Sequence, residues 1–174
     1  ANQHAIIQAN FTAVPTYILS VTAGDNGKVS IDSNYYAAAD TTVTIEAVEP
    51  TYHPGYPKDA AAVLLIEVEG LKEMVREQVS QIEQICLANG ASKLDGSEEP
   101  IRRTELWAAR KGAIGAFGNL RPNYYLVDGV VPRTKLREVM DKIAEIAFAM
   151  DLLIANVFHA GDGNLHPLIL YNAS

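Results

Sequence analysis

Residues 62–70, AVLLIEVEG, form a short apolar run rich in β-branched side chains, and it opens directly onto an amphipathic stripe. A run this short and apolar reads as a buried strand. From Leu71 the spacing changes. Leu71, Val75, Val79, Ile82 and Cys86 recur at helical intervals, with Met74 and Ile85 beside them, and Asn89-Gly90 supplies a stop. That is a helix with one apolar face. A buried strand followed at once by such a helix is the first half of a βαβ unit.

The pattern returns downstream. ASKL at 91–94 is a weak strand. A helix opens near Ser97 or Thr104 and loosens where Gly112, Gly115 and Gly118 recur. NYYLVDGVVP at 123–132 is strand-like, with one of Tyr124 and Tyr125 expected to face the core. Thr134 is a helix N-cap ahead of a stripe at Leu136, Val139, Ile143, Ile146 and Met150. LLIANVFH (152–159) and LHPLILYN (165–172) are strands. The order predicts an α+β fold of ferredoxin-like type: two βαβ units in series, an antiparallel sheet with helices on one face, and a helical insertion between the halves.

The first 43 residues differ in character. TYILSVTAGDNGKVSIDSNYYAAADTTVTIEAVE (16–49) alternates apolar and polar residues on both sides of GDNG, a hairpin signal, with a third strand expected at Thr42 to Val48. EPTYHPGYPKDA (49–60) then marks a break. The expected division is a β-rich segment at 1–43 and a second domain at 44–174.

Composition excludes several classes. With 48% apolar and 20% charged residues, the chain can bury a sizeable core. Its net charge of −7 argues against nucleic acid or an anionic membrane as the main partner. A single cysteine, Cys86, allows no intrachain disulfide, and its place on an apolar helix face marks it as inert core. The most apolar window, Ile143 to Phe158, is broken by Glu145 and Asp151, so no membrane span is expected. No signal peptide is legible, and the absence of an initiator methionine makes the chain read as a fragment.

Chemistry concentrates near the C-terminus, in VFHAGDGNLHPLILYN at 157–172. If the flanking strands pair, Asp162-Gly163 makes the turn and His159 and His166 come to one end of the sheet. Two neutral imidazoles so placed can ligate one divalent metal, though a stable site wants a third ligand. Spacing alone favours a polar loop with solvated histidines over a metal site. The Gly112, Gly115, Gly118 series follows a helix and is no dinucleotide fingerprint. His4 and His53 have no partners at ligand spacing.

Several segments in order narrow the choice. PGYPKDAAAVLLIEVEG, ELWAARKGAIGAFGNLRPNYYLVDGVVPRTKLREVM and NVFHAGDGNLHPLILYN resemble the C-terminal domain of FAD-linked oxidases, the family of the glycolate oxidase D subunit and D-lactate dehydrogenases. The resemblance is collinear over roughly 44–174. It implies that His159 and His166, in H-x-G-D-G-N-x-H, ligate a divalent metal. That metal would hold and polarise a 2-hydroxy acid. It implies that Arg110, in W-x-x-R-K, contacts the substrate carboxylate, a role suited to a guanidinium fork. The residue-level alternative for Arg110 is a helix-surface arginine. Asn164 either faces the flavin or fixes the loop through side-chain to backbone bonds. Trp107 reads as a core anchor, Lys111 as a solvated neighbour, and Asp128-Gly129 as a turn near the active face.

The resemblance also implies parts outside this sequence. In the family an N-terminal domain binds most of the FAD, and an E-H-G-x-G motif after the second histidine carries the third metal ligand and the candidate base. The chain therefore reads as truncated at its C-terminus, with no catalytic base of its own, and is expected to be inactive alone. The leading expectation is part of an FAD-dependent 2-hydroxy acid dehydrogenase of glycolate or D-lactate type. Its metal would be Zn, Mn or Fe, and its partners the FAD domain of the same chain and other oxidase subunits. It would work in the cytoplasm or at the periphery of the inner membrane. Two alternatives stay open: a non-catalytic ferredoxin-like binding or assembly domain, and a surface-interaction protein suggested by the N-terminal β segment.

Overall fold

The apolar run becomes strand β3 (Ala62–Leu71), and its neighbours explain why it needs no polar alternation. The computed structural model describes residues 2–11, 28–30, 41–57, 60, 62–157 and 159–173. Strand β1 (Asn2–Phe11) runs antiparallel to β3 from Asn2↔Leu71 to Phe11↔Ala62. Strand β4 (Ala91–Ser97) pairs antiparallel with the other edge of β1, and the short β2 (Lys28–Ser30) borders β3. The order is β2-β3-β1-β4.

Because β3 and β4 both oppose β1, they are parallel to each other, and helix α2 (Lys72–Ala88) is the crossover between them. This is a βαβ unit split by a central strand. Val75, Ile82 and Cys86 of α2 pack on one sheet face with Ile7, Phe11, Leu64 and Ile66. Ile6, Val63 and Leu65 point the other way, into a cluster shared with helices α1 (Thr41–Tyr52) and α3 (Pro100–Ala116). Gln8 and Asn10 lie buried on β1, and Gln8 Nε2 donates to Asn10 Oδ1 at 3.1 Å.

The second half repeats the plan. Strands β5 (Asn123–Leu126), β7 (Leu153–Asn156) and β9 (Pro167–Tyr171) form a sheet in the order β5-β9-β7. β5 and β7 both run antiparallel to β9, so they are parallel to each other, joined by helix α4 (Leu136–Ala149). β9 thus takes the place that β1 has in the first half. Two-residue strands β6 (Gly129–Val130) and β8 (Asn164–Leu165) extend the β5–β9 ladder.

The α+β class and the antiparallel sheets agree with the sequence expectation, and α3 is the helix expected between the halves. Other details are corrected. Helices cover both faces of the larger sheet rather than one, which is why β3 is apolar nearly throughout. Thr42 to Val48, expected as a strand, lies within α1. Its β-branched residues favour extended chain locally, but the helix buries Ile45 and Val48 against the α3 side of the core. The hairpin around GDNG falls outside the described residues except for Lys28–Ser30. β1, unrecognised within the first 43 residues, is the central strand of the sheet. Thr134 sits in a 3-10 turn, Arg133–Lys135, ahead of α4. Tyr124 and Tyr125 are both exposed. Helix α3 starts with Pro100 at its first position, where a missing N–H costs nothing. Among the described residues no helix is long and apolar enough to cross a membrane.

Candidate functional site

Helix α3 joins the two halves. Its apolar face, Leu106, Ala109, Ala113 and Ala116, is buried in one cluster with Val63 and Leu65 of β3, with Ala155 of β7, and with Leu168 and Leu170 of β9. Gly112 has a packing reason: a Cβ there would run into the Tyr52 ring from α1. Near its start, α3 is held to β3 through Glu67. The carboxylate accepts from Trp107 Nε1 at 2.8 Å and from Arg103 Nη2 at 3.1 Å. Arg102 adds contacts to Asp95 Oδ2 at 3.0 Å and the Pro54 carbonyl at 3.1 Å.

Three residues beyond Trp107, Arg110 is only 8% exposed. Its Nη2 lies 3.3 Å from His159 Nε2. The sequence alternative of a helix-surface arginine is excluded by this burial.

His159 is positioned by the hairpin. The β7–β9 register runs from Leu153↔Leu170 to Asn156↔Pro167, and the same count brings His159 opposite Asn164. The pair is closed by backbone bonds, His159 N–H to the Asn164 carbonyl at 3.0 Å and the reverse at 3.2 Å. Four residues, 160–163, make the turn. Asp162 N–H bonds the His159 carbonyl at 3.1 Å. Gly163 has φ +71°, and a Cβ there would collide with the Val131 carbonyl oxygen. Its own carbonyl accepts from Val131 N–H at 2.9 Å, so the turn is docked against the segment that follows β6.

The opposite ladder positions His166. Leu126 pairs with Leu168 and Gly129 with Leu165, so the count between them puts Asp128 across from His166. Asp128 Oδ1 is 3.5 Å from His166 Nδ1. Residues opposite each other, or two apart on one strand, share a sheet face. By that rule His159, Asn164, His166 and Asp128 are on one face. The two imidazoles meet edge to face with ring centres 5.7 Å apart.

Electrostatics keep His166 neutral near pH 7. Burial pushes its pKa below the usual imidazole value, and the neighbouring His159 and Arg110 side chains push the same way. Asp128 opposes them without prevailing. The Asn164 side-chain oxygen is buried with no hydrogen-bond partner among the described residues, and the loop is closed by backbone instead.

The metal expectation can be tested on this donor set. His159 and His166 present two imidazoles on one face, His166 with its lone pair free of a proton. Among the described residues no group of three or more His, Cys, Asp and Glu side chains is arranged to hold a metal ion. His159 and His166 thus bring two imidazoles together without a third such donor among the described residues.

Other sequence candidates fall outside the site. Trp107 packs against the core as an anchor, Lys111 is exposed, and Gly115 and Gly118 lie within and just after α3. Cys86 is fully buried, and burial aided by Glu83 pushes its thiol pKa up to about 11. Sequence reasoning missed the pairing of Asp128 with His166, which only the strand register reveals. It also missed Glu67, whose partners lie 36 and 40 residues away. His4 has carboxylate neighbours after all, 3.7 Å from both Glu67 and Glu69.

Residues 31–174 match the family model described as FAD linked oxidases, C-terminal domain, and the chain belongs to that family. It is 43% identical over 132 residues to the glycolate oxidase subunit GlcD of Escherichia coli K12, covering 76% of this chain and 26% of that protein. It is 36% identical over 124 residues to GlcD of Bacillus subtilis, covering 71% and 26%. A mitochondrial D-lactate dehydrogenase [cytochrome] of Arabidopsis thaliana is 33% identical over 116 residues, covering 66% and 20%. The chain therefore spans about a quarter of the length of these relatives.

Proposed function

We propose that this chain is the substrate-side portion of an FAD-dependent dehydrogenase that oxidises a small 2-hydroxy acid, of glycolate or D-lactate type, to the 2-oxo acid. The observation that carries it is the buried Arg110 guanidinium held 3.3 Å from His159, beside the second imidazole of His166. A substrate carboxylate in this place would be fixed bidentately by the guanidinium fork, and the burial of Arg110 would shield the pair from solvent. The names of the related proteins support the substrate class.

When bound, the flavin supplies a hydride acceptor and a divalent metal, Zn, Mn or Fe, supplies polarisation of the substrate hydroxyl. His159 and His166 would hold the metal, and Asp128 would orient His166 by accepting from its Nδ1, leaving Nε2 as the donor. Arg110 would clamp the carboxylate, and Asn164 would turn its unpartnered oxygen toward the bound groups. The catalytic base is not assigned to a residue of this chain, and the isolated chain is expected to be inactive.

The test is anaerobic flavin bleaching by the full-length protein on mixing with glycolate or D-lactate. Reduction by either acid, lost in Arg110→Ala, is expected. A flavin that stays oxidised with every small 2-hydroxy acid tried would remove the reading.

A further inference from the structure

We infer that Glu67 is a positioning residue for the Arg110 carboxylate clamp, acting through the axial placement of α3. This rests on the reading of Arg110 proposed above. Glu67 sits on β3, yet among the described residues the hydrogen bonds to its carboxylate come from α3, Trp107 Nε1 at 2.8 Å, Arg103 Nη2 at 3.1 Å and Arg103 Nε at 3.3 Å, with His4 Nδ1 of β1 further off at 3.7 Å. The side chains of Glu67 and Arg103 are only 22% and 21% exposed, so the pair is shielded rather than a solvated surface contact. Arg103, Trp107 and Arg110 follow at intervals of four and three, the repeat of one helical face.

Between Leu106 and Phe117, most of the apolar packing face of this helix is small. Apart from Arg110, the buried face of α3 beyond Leu106 is Ala109, Ala113 and Ala116, with Gly112 against Tyr52. Small side chains allow close approach but make shallow ridges, which resist sliding along the helix axis poorly. A carboxylate that takes one hydrogen bond from Trp107 and two from Arg103 resists both sliding and rotation. Trp107 and Arg110 are separated by about 4.5 Å of helix rise, so an error at the anchor is carried to the clamp almost undiminished. A displacement of about 1 Å at a substrate-positioning group can cost two orders of magnitude in rate.

The experiment is a double-mutant cycle in the full-length flavoprotein. The probe is 2-hydroxyisobutyrate, which carries the hydroxy acid group but has no hydrogen on the 2-carbon to transfer. Its affinity is read from the perturbation of the flavin spectrum in wild type, Glu67→Gln, Arg110→Ala and the double variant. Glu67→Gln should weaken binding about 5–10-fold alone and less than 2-fold in the Arg110→Ala background, because coupled residues are non-additive. Arg103→Lys, which keeps the charge and loses the fork, serves as a second variant should Glu67→Gln fold poorly, and should show the same dependence. Equal effects of Glu67→Gln and Arg103→Lys with and without Arg110 would overturn the inference, since that is the signature of general destabilisation. If Arg110→Ala itself leaves the affinity unchanged, the reading of Arg110 fails, and the inference about Glu67 falls with it.

Discussion

Arg110 and His159 are 49 positions apart in the chain and 3.3 Å apart in space, guanidinium Nη2 to imidazole Nε2. In the proposed site, where His159 would take a divalent metal, the Arg110 cation beside its Nε2 would oppose the bare ion, and a carboxylate bound to Arg110 would offset that opposition. Metal and hydroxy acid should therefore strengthen each other's binding, by the same factor in both directions. Zinc affinity of the full-length protein, measured by calorimetry with and without saturating 2-hydroxyisobutyrate, should rise at least several-fold with the acid. Arg110→Ala should abolish the coupling. Independent binding of the two in the wild type would refute the arrangement.

Asp128 faces His166 across the ladder, and its carboxylate is placed to fix which ring nitrogen carries the proton. In the proposed site, with His166 as a metal ligand, Asp128→Asn should lower metal affinity about 10–100-fold, the range for loss of a carboxylate behind such a histidine. His166→Ala and His159→Ala should lower it further. Nitrogen NMR of His166 supplies the independent check, since the Nδ1–H form should dominate in the wild type and lose its dominance in Asp128→Asn. An unchanged tautomer would mean that Asp128 is only a neighbour.

Gly163 combines a left-handed backbone with the close approach of the Val131 carbonyl. An alanine there meets an unfavourable φ and a backbone oxygen that cannot swing aside. Gly163→Ala should cost about 3 kcal/mol in urea unfolding, summing the left-handed penalty and a steric overlap. A loss below about 1 kcal/mol would show that the turn relaxes freely.

Cys86 gives a pH signature in the alkaline range. Its thiol pKa is about 11 in the folded chain against an ordinary value of 9.0. Between those values the unfolded chain releases the proton and the folded chain keeps it, so stability falls as pH rises through the window and levels off above it. Other groups titrate there too, so the readout is the difference between wild type and Cys86→Ala. The wild type should lose more stability between pH 9 and 11, by up to a few kcal/mol at about 1.4 per pKa unit. In the native protein the thiol should also resist alkylation until unfolding. Rapid alkylation under native conditions would contradict its burial.

The order of strands and helices from Ala62 onward was legible in the chain, because apolar spacing reports how many faces an element buries. The AVLLIEVEG run, the α2 stripe and the paired strands around the histidine turn each carry that record in adjacent residues. The histidines themselves were legible as a pair, since a short turn leaves few ways to arrange His159 and His166. Thr42 to Val48 was misread because its β-branched residues favour a strand locally, whereas burial of Ile45 and Val48 against α3 makes it a helix. β1 escaped notice because Gln8 and Asn10 interrupt its apolar pattern; in the core Gln8 Nε2 donates to Asn10 Oδ1, and Asn10 Nδ2 donates to the Lys93 carbonyl.

The sequence by itself determined the class of fold, the family resemblance and the two imidazoles, all of which rest on spacing within short segments. Tertiary structure alone decided that Arg110 is buried against His159, that Asp128 stands across from His166, and that Glu67 anchors α3. Those contacts join residues 36 to 49 positions apart. Their formation depends on two sheets and a helix coming together around one core, and no local pattern in the chain encodes that closure.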